Sequence, residues 1–251
     1  MAVAKPEAYG DVDISAVGEL VADPGRCRVL LALGDGRALA ASVLAAEAGV
    51  APSTASAHLA KLTAAGLLRV ERHGRHRYYR LTSARVGELL EVMMRLAPPR
   101  PVRSLREGSR AAALRAARTC YDHLAGRLGV ELMSAMLAKG HLTGGDGQYD
   151  PATAVGDRPS AYGSDIDYTL TDSGRAFLAG LGVHLPPRRT AVRYCVDWSE
   201  QRHHLAGGVG HGLLARLTDL DWLHRHPANR AVQITETGKR GLAEHFALTW
   251  P

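Results

Sequence analysis

Residues 52–81, PSTASAHLAKLTAAGLLRVERHGRHRYYRL, leave few folds open to this chain. Pro52 suits the first turn of a helix. Ala55, Leu59 and Leu62 then recur at i, i+4 and i+7, which puts them on one helical face while Ser53, Thr54, Ser56, His58 and Lys61 look elsewhere. Gly66 stops the helix. Leu67–Arg72 runs to a His73-Gly74 turn and returns as Arg75–Leu81, the pattern of a short β-hairpin. That hairpin sets Arg69, Arg72, Arg75, Arg77 and Arg80 against a lone Glu71. Taken by itself, such a charge run reads equally well as a solvated face.

The flanking residues decide what this unit belongs to. Val12–Ala22 and Gly25–Leu33 read as two helical pieces broken at Asp23-Pro24, because proline starts helices and interrupts them. Leu39–Ala48 reads as a third helix, and the GVAP turn at 49–52 joins it to the helix above. Helix, tight turn, helix and hairpin is the order of a winged helix-turn-helix, whose polar helix face enters a major groove while a cationic wing grips the backbone. Thr82–Leu96 reads as a further amphipathic helix, and APPRP at 97–101 is a stiff break. Two domains are expected, at 1–98 and 99–251.

The formal charge of +6 favours an anionic partner. Three cysteines do not make a disulfide framework, the N-terminal stretch has no apolar signal core, and no run is long and apolar enough for a membrane span. A cytoplasmic protein with reduced thiols and no membrane partner is expected.

The stretch GVAPSTASAHLAKLTAAGLLRVERHGRHRYYRLT, with its Ser56-x-His58-Leu59 core and Ala65-Gly66-Leu67 step, resembles the recognition helix and wing of the ArsR/SmtB family of bacterial repressors. The resemblance spans roughly residues 12–96. It implies a homodimeric repressor joined through its first helix and its last N-domain helix, bound to double-stranded DNA at an inverted repeat. Contact with DNA is implied for Ser53, Thr54, Ser56, His58 and Lys61, with Arg69, Arg72, Arg75 and Arg77 as phosphate grips. Ala51 departs from the family, which often places a capping serine there. The metal sites of the family are missing from this half: RALAASVLAAEAGV has no cysteine, and SARVGELLEVMMRL has no histidine. Cys27, among core-facing residues, reads as a packed thiol. No cofactor is expected for DNA binding.

The second half is far larger than an ordinary ArsR/SmtB tail and contains a degenerate repeat. CYDHLAGRLG at 120–129 returns as CVDWSEQRHHLAGGVG at 195–210 with six residues inserted, and YTLTDSGRAFL at 168–178 returns as VQITETGKRGL at 232–242. The expected fold class is therefore mainly α with small β-hairpins (α+β), with two winged-helix-like repeats, about 118–182 and 193–247, after the winged helix-turn-helix. Each copy reads as a helix, a variable loop, a short strand and a helix capped at Thr171 or Thr235. A cleft between the two lobes is a natural place for an organic effector that releases the repressor.

An alternative stays open beside it. Cys120 and His123, at i and i+3, share a face if the segment is helical, and Cys195 and His204 recur in the second copy, a donor set suited to a soft metal ion or a thiol response. A third reading makes these residues packing units copied by duplication. An enzyme is not expected, since no phosphate loop, nucleophile elbow or His-Glu-x-x-His helix is present.

Overall fold

The computed structural model describes residues 12–251 apart from 35, 74–75, 98–104, 160 and 186–189, and the expected boundary between residues 98 and 99 lies outside them. Helix α1 (Ile14–Ala22) is capped by Asp13, and α2 (Pro24–Ala32) by Asp23, whose carboxylate accepts the Arg26 amide at 2.8 Å. Strand β1 (Leu39–Ala40) takes the first two residues of the expected third helix, which is α3 (Ala41–Ala48). Gly49 then adopts φ 67°, so the chain reverses into α4 (Pro52–Ala64). The wing is β2 (Leu68–His73) and β3 (His76–Leu81), with β1 paired to β3 on its other side. Helix α5 (Ala84–Leu96) closes this half.

Val29, Leu30, Leu33, Leu44, Leu59, Leu62, Leu68 and Leu81 form its core. Each fully buried leucine contributes about 1.5–3 kcal/mol. The apolar stripe of α4 therefore fixes the helix by burial, and its missing side-chain cap at Ala51 leaves the start at Pro52 unchanged.

Helix α6 (Leu105–Ala116), which the sequence pattern does not announce, leads into the repeats. The first contains β4 (Arg118–Cys120), β5 (His123–Ala125), α7 (Gly126–Ala138), β6 (Leu142–Thr143), β7 (Thr169–Leu170) and α8 (Asp172–Leu181). The second contains β8 (Arg193–Val196), β9 (His203–Ala206), α9 (Gly207–Asp219), β10 (Leu223–Arg225), β11 (Val232–Ile234) and α10 (Glu236–Phe246). Thr171 and Thr235 cap α8 and α10 as expected, each accepting the amide three residues on.

The start of each copy corrects the helical reading. Cys120 and His123 lie in a hairpin as direct cross-strand partners, and so do Cys195 and His204. The inserted residues lengthen the second hairpin loop without changing which side chains face each other.

The two repeats share one core, running from Leu124 and Met133 through Leu205 and Leu213 to Phe246. They pack crosswise, with α7 against β9 and α9 against β5. Gly210 permits this approach, because a Cβ there would stand 2.5 Å from the Leu205 carbonyl oxygen and 3.0 Å from His123 Cβ. The apolar seam encloses a void of only about 10 Å³ among Leu124, Leu132, Leu205 and Leu213. The cleft expected to hold an organic effector is packed shut at that seam.

Candidate nucleic-acid interface and metal centre

On α4, Ser53, Thr54, Ser56 and Lys61 are exposed on one surface. Ser56 Oγ donates to the Pro52 carbonyl at 2.9 Å. His58 departs from this set. It lies three residues from Ala55 and four from Leu62, on the inner edge of the stripe, and its Nε2 stands 3.5 Å from Asp23 Oδ1 with the ring 13% exposed. The imidazole that the resemblance assigned to DNA is turned to the α2 cap instead.

The wing divides its arginines in two. Arg80 donates to the Gly36 carbonyl through Nη2 at 2.6 Å and to Glu71 at 3.0 Å, and Arg69 stands 3.6 Å from the same carboxylate. Glu71 therefore engages Arg69 and Arg80, the cross-strand pair nearer the base of the wing. Arg72 and Arg77 are cross-strand partners near its tip, and both are exposed. Arg75 lies outside the described residues.

The second cluster is buried in the C-terminal half. One donor atom each from Cys120, His123, Cys195 and His204 lies within 4.8 Å of all the others, and Cys195 Sγ is 3.5 Å from His123 Nε2. Residues far apart in sequence meet because the crossed repeats bring their hairpins face to face. His123, Cys195 and His204 are buried and Cys120 is partly so.

Each histidine has a carboxylate behind it. His123 Nδ1 is 3.3 Å from Asp122, and His204 Nδ1 is 3.1 Å from Asp197. Such a partner orients the ring so that Nε2 points away from it, which here is toward the sulfurs. Both ring nitrogens of His204 are buried without a hydrogen bond of good geometry, Nδ1 beside Asp197 and Nε2 on the side of the sulfurs. The aspartates come from the repeated Arg-x-Cys-x-Asp, read at 118–122 and 193–197. That repeat was the available signal for these supporting groups, which ligand spacings alone do not reveal.

The charges are linked. A hydrogen bond from Cys195 holds the Cys120 thiol well below its ordinary pKa against the cost of burial, with His123 adding to the effect. Burial disfavours a charged His123, but the neighbouring Cys120 thiolate and Asp122 outweigh it and raise the ring to about 9. His204 is raised against burial by Asp197 and the Cys120 sulfur. Without an ion, these directions favour a Cys120 thiolate beside protonated imidazoles. A divalent ion held here would meet two thiolates and two neutral imidazoles once their protons had left, and its charge would balance that of the sulfurs.

The donors also fit in size. With bonds of about 2.3 Å to sulfur and 2.0–2.1 Å to nitrogen, the edges of a tetrahedron are about 3.3–3.8 Å, so closing this set on an ion takes movements on the order of an ångström.

Comparisons with known proteins agree with the N-terminal reading and extend past it. A helix-turn-helix domain family matches residues 21–71. The uncharacterized HTH-type transcriptional regulator YdfF of Bacillus subtilis is 38% identical over 238 residues, spanning 93% of this chain and 97% of that protein. The HTH-type transcriptional regulator CmtR of Mycobacterium tuberculosis is 35% identical over 92 residues, 35% of this chain and 77% of its own. The solved structure of CmtR, described as a cadmium metal-sensor, covers 37% of this chain at 31% identity with a TM-score of 0.30. No helix among the described residues is long and apolar enough to cross a membrane. Matched to a transcriptional regulator over nearly its whole length, and built in its first half as helix, turn, helix and wing, the chain belongs to the ArsR/SmtB-type winged helix-turn-helix transcriptional regulators.

Proposed function

We propose that this regulator is a homodimeric repressor whose hold on an inverted-repeat operator is set by a thiophilic divalent ion of the Zn2+ or Cd2+ type, held by Cys120, His123, Cys195 and His204. The observation that carries it is the convergence of two thiols and two imidazole nitrogens within 4.8 Å, each imidazole backed by a carboxylate. Four protein donors complete a tetrahedral shell and leave no position for a reacting water, which favours a sensing or structural ion over a catalytic one. The same donors belong to the soft set that takes zinc or cadmium in preference to magnesium or calcium.

Dimerisation draws support from the two helices that the family resemblance assigns to the interface. Helix α1 has no buried residue and leaves Ile14 77% exposed, and α5 ends at Leu96, 82% exposed. Two recognition helices related by a two-fold axis read half-sites about one helical turn apart.

The test is binding of the full-length protein to an operator duplex selected from a random-sequence pool, with and without Cd2+. The metal-free protein is expected to bind DNA, and Cd2+ is expected to change that affinity by at least about fivefold, the lower end of ordinary coupling between sites. An ultraviolet thiolate-to-Cd2+ charge-transfer band should accompany the change. Absence of the band removes the metal centre, and the band without a change in DNA affinity makes the ion structural.

The wing supplies a separate prediction. Arg72→Ala and Arg77→Ala should weaken operator and random DNA alike, and each phosphate left unneutralised should lower the slope of log K against log salt by about 0.9. Arg80→Ala should act through the fold, because its guanidinium is committed to Gly36 and Glu71. A salt slope unchanged by the first two substitutions would take the wing tip off the DNA.

A further inference from the structure

The centre is built from repeated parts, yet its two halves are held differently. Arg118 and Arg193 each stand two residues before their cysteine. Arg118 is buried, crosses to the other copy to donate to Asp197 at 2.8 Å, and stacks over Trp198. Asp197 also accepts the amides of Gly126 at 2.7 Å and Ser199 at 2.9 Å. These bonds fix the half carrying Cys195 and His204 on several sides and pin the base of the first hairpin at Arg118 and Gly126, but not its turn.

Arg193 does not mirror this arrangement, because its guanidinium lies over the Tyr162 ring at 4.3 Å. Asp122, the counterpart of Asp197, keeps 22% of its side chain exposed and stands between His123 and the half-exposed His211, 3.4 Å away. It lines a cavity of about 440 Å³ between the two halves of the chain, together with Tyr121, Gly36, Arg37 and Arg80.

Tyr121 sits at the joint itself. It occupies the two-residue turn between Cys120 and His123 with φ 57°, a left-handed position that favours glycine. Its ring fills the space beside Gly36, where a Cβ would meet it at 2.8 Å. The Gly36 carbonyl is the acceptor that holds Arg80, and Arg80 in turn donates to Glu71 across the wing. A strained backbone position kept by a bulky side chain at such a contact is a sign of function.

Building on the metal-responsive reading, we infer that metal occupancy is conveyed to the DNA-binding half through the Tyr121–Asp122 turn, which carries the Cys120–His123 half of the centre and rests on Gly36 beside the wing anchor Arg80. Because the Asp197 contacts with Arg118 and Gly126 hold the base of the first hairpin as well as the Cys195–His204 half, the movement that closes the donors on an ion falls on the hairpin's tip, where the Tyr121–Asp122 turn joins Cys120 to His123. The turn carries the Tyr121 ring against Gly36, so its movement shifts that contact. The bistable element is this turn: open without an ion, or closed with the donors drawn onto one.

The experiment measures two quantities on the full-length protein, Cd2+ affinity by charge-transfer titration and operator affinity with and without Cd2+. Tyr121→Ala should keep the Cd2+ affinity and the metal-free operator affinity, while the metal-dependent change in operator binding shrinks to less than about twofold, from a wild-type value of about fivefold or more. Tyr121→Phe, which keeps the ring, should retain the wild-type change. In the unaltered protein, Cd2+ should alter amide exchange at residues 36–37 and 77–81, a readout that depends on no variant.

Full coupling in Tyr121→Ala, abolished coupling in Tyr121→Phe, or exchange at those amides indifferent to Cd2+ overturns the inference while leaving the metal centre intact. A wild-type protein with no Cd2+ band fails at the centre itself, and the coupling through Tyr121 fails with it.

Discussion

Cys120→Ser and Cys195→Ser are each expected to weaken Cd2+ or Zn2+ binding by on the order of a hundredfold or more. Structural Cys/His zinc sites bind with about 10–16 kcal/mol shared among four ligands, so removing one thiolate forfeits roughly 3 kcal/mol. Serine preserves the shape of the side chain but presents a hydroxyl that stays protonated and hard. The variants should fold and bind operator DNA without metal, while the response to Cd2+ disappears. Cys27→Ser supplies the contrast. Cys27 lies in α2 outside the cluster, and burial pushes its thiol above the ordinary pKa, so its loss should leave metal affinity unchanged. Competition against a chromophoric chelator measures each affinity. Binding by either C-terminal variant as tight as wild type would reduce the four residues to a packing cluster.

The same four residues show how far the sequence could be read. Their identity was legible, because duplication repeated Cys-x-Asp ahead of His-Leu-Ala-Gly, but their geometry was not. Spacing of i and i+3 reads as a helical face, whereas strands of three residues are too short for any period to show. The turn that makes the hairpin depends on a tyrosine in left-handed backbone, a position no propensity assigns to it. The inserted residues of the second copy were the clue: a helix would rotate its ligands apart by such an insertion, while a hairpin simply lengthens its loop.

The winged helix was the easier half. Ala55, Leu59 and Leu62 carry a period that burial enforces, and Gly49 and Pro52 punctuate it where the backbone requires. What sequence pattern missed there was local. His58 falls on the inner edge of the stripe and finds Asp23, and the arginines divide by their distance from Glu71. Helix α6 was hidden because LREGSRAAALRA follows a proline break with no strong apolar stripe of its own. Arg110 fastens it to Glu47 of α3 at 2.7 Å, a contact between halves that no local pattern encodes.

Asp197→Ala is expected to cost the C-terminal half about 3–5 kcal/mol of stability even in the presence of a chelator. That range is typical when one partner of a buried ion pair is removed and the other is left in the interior. The carboxylate is fully buried and accepts from Arg118, Gly126, Ser199 and the Glu200 amide, so its loss leaves the 2% exposed Arg118 side chain without a counter-charge and strips backbone donors of their acceptor. The exposed pair Arg175–Asp172 is the control: with its aspartate 99% exposed, Asp172→Ala should cost no more than about 1 kcal/mol. All three tryptophans, Trp198, Trp222 and Trp250, lie in this half, and Trp198 stacks on Arg118, so urea unfolding followed by tryptophan fluorescence reports the affected region. The midpoint should fall while the slope stays the same. Adding Arg118→Met to Asp197→Ala should recover part of the loss, because the double variant no longer buries an unpaired charge. A single variant that loses less than about 1 kcal/mol would mean that water reaches Arg118, and the clamp that Asp197 forms between the two repeats would then hold neither half of the centre.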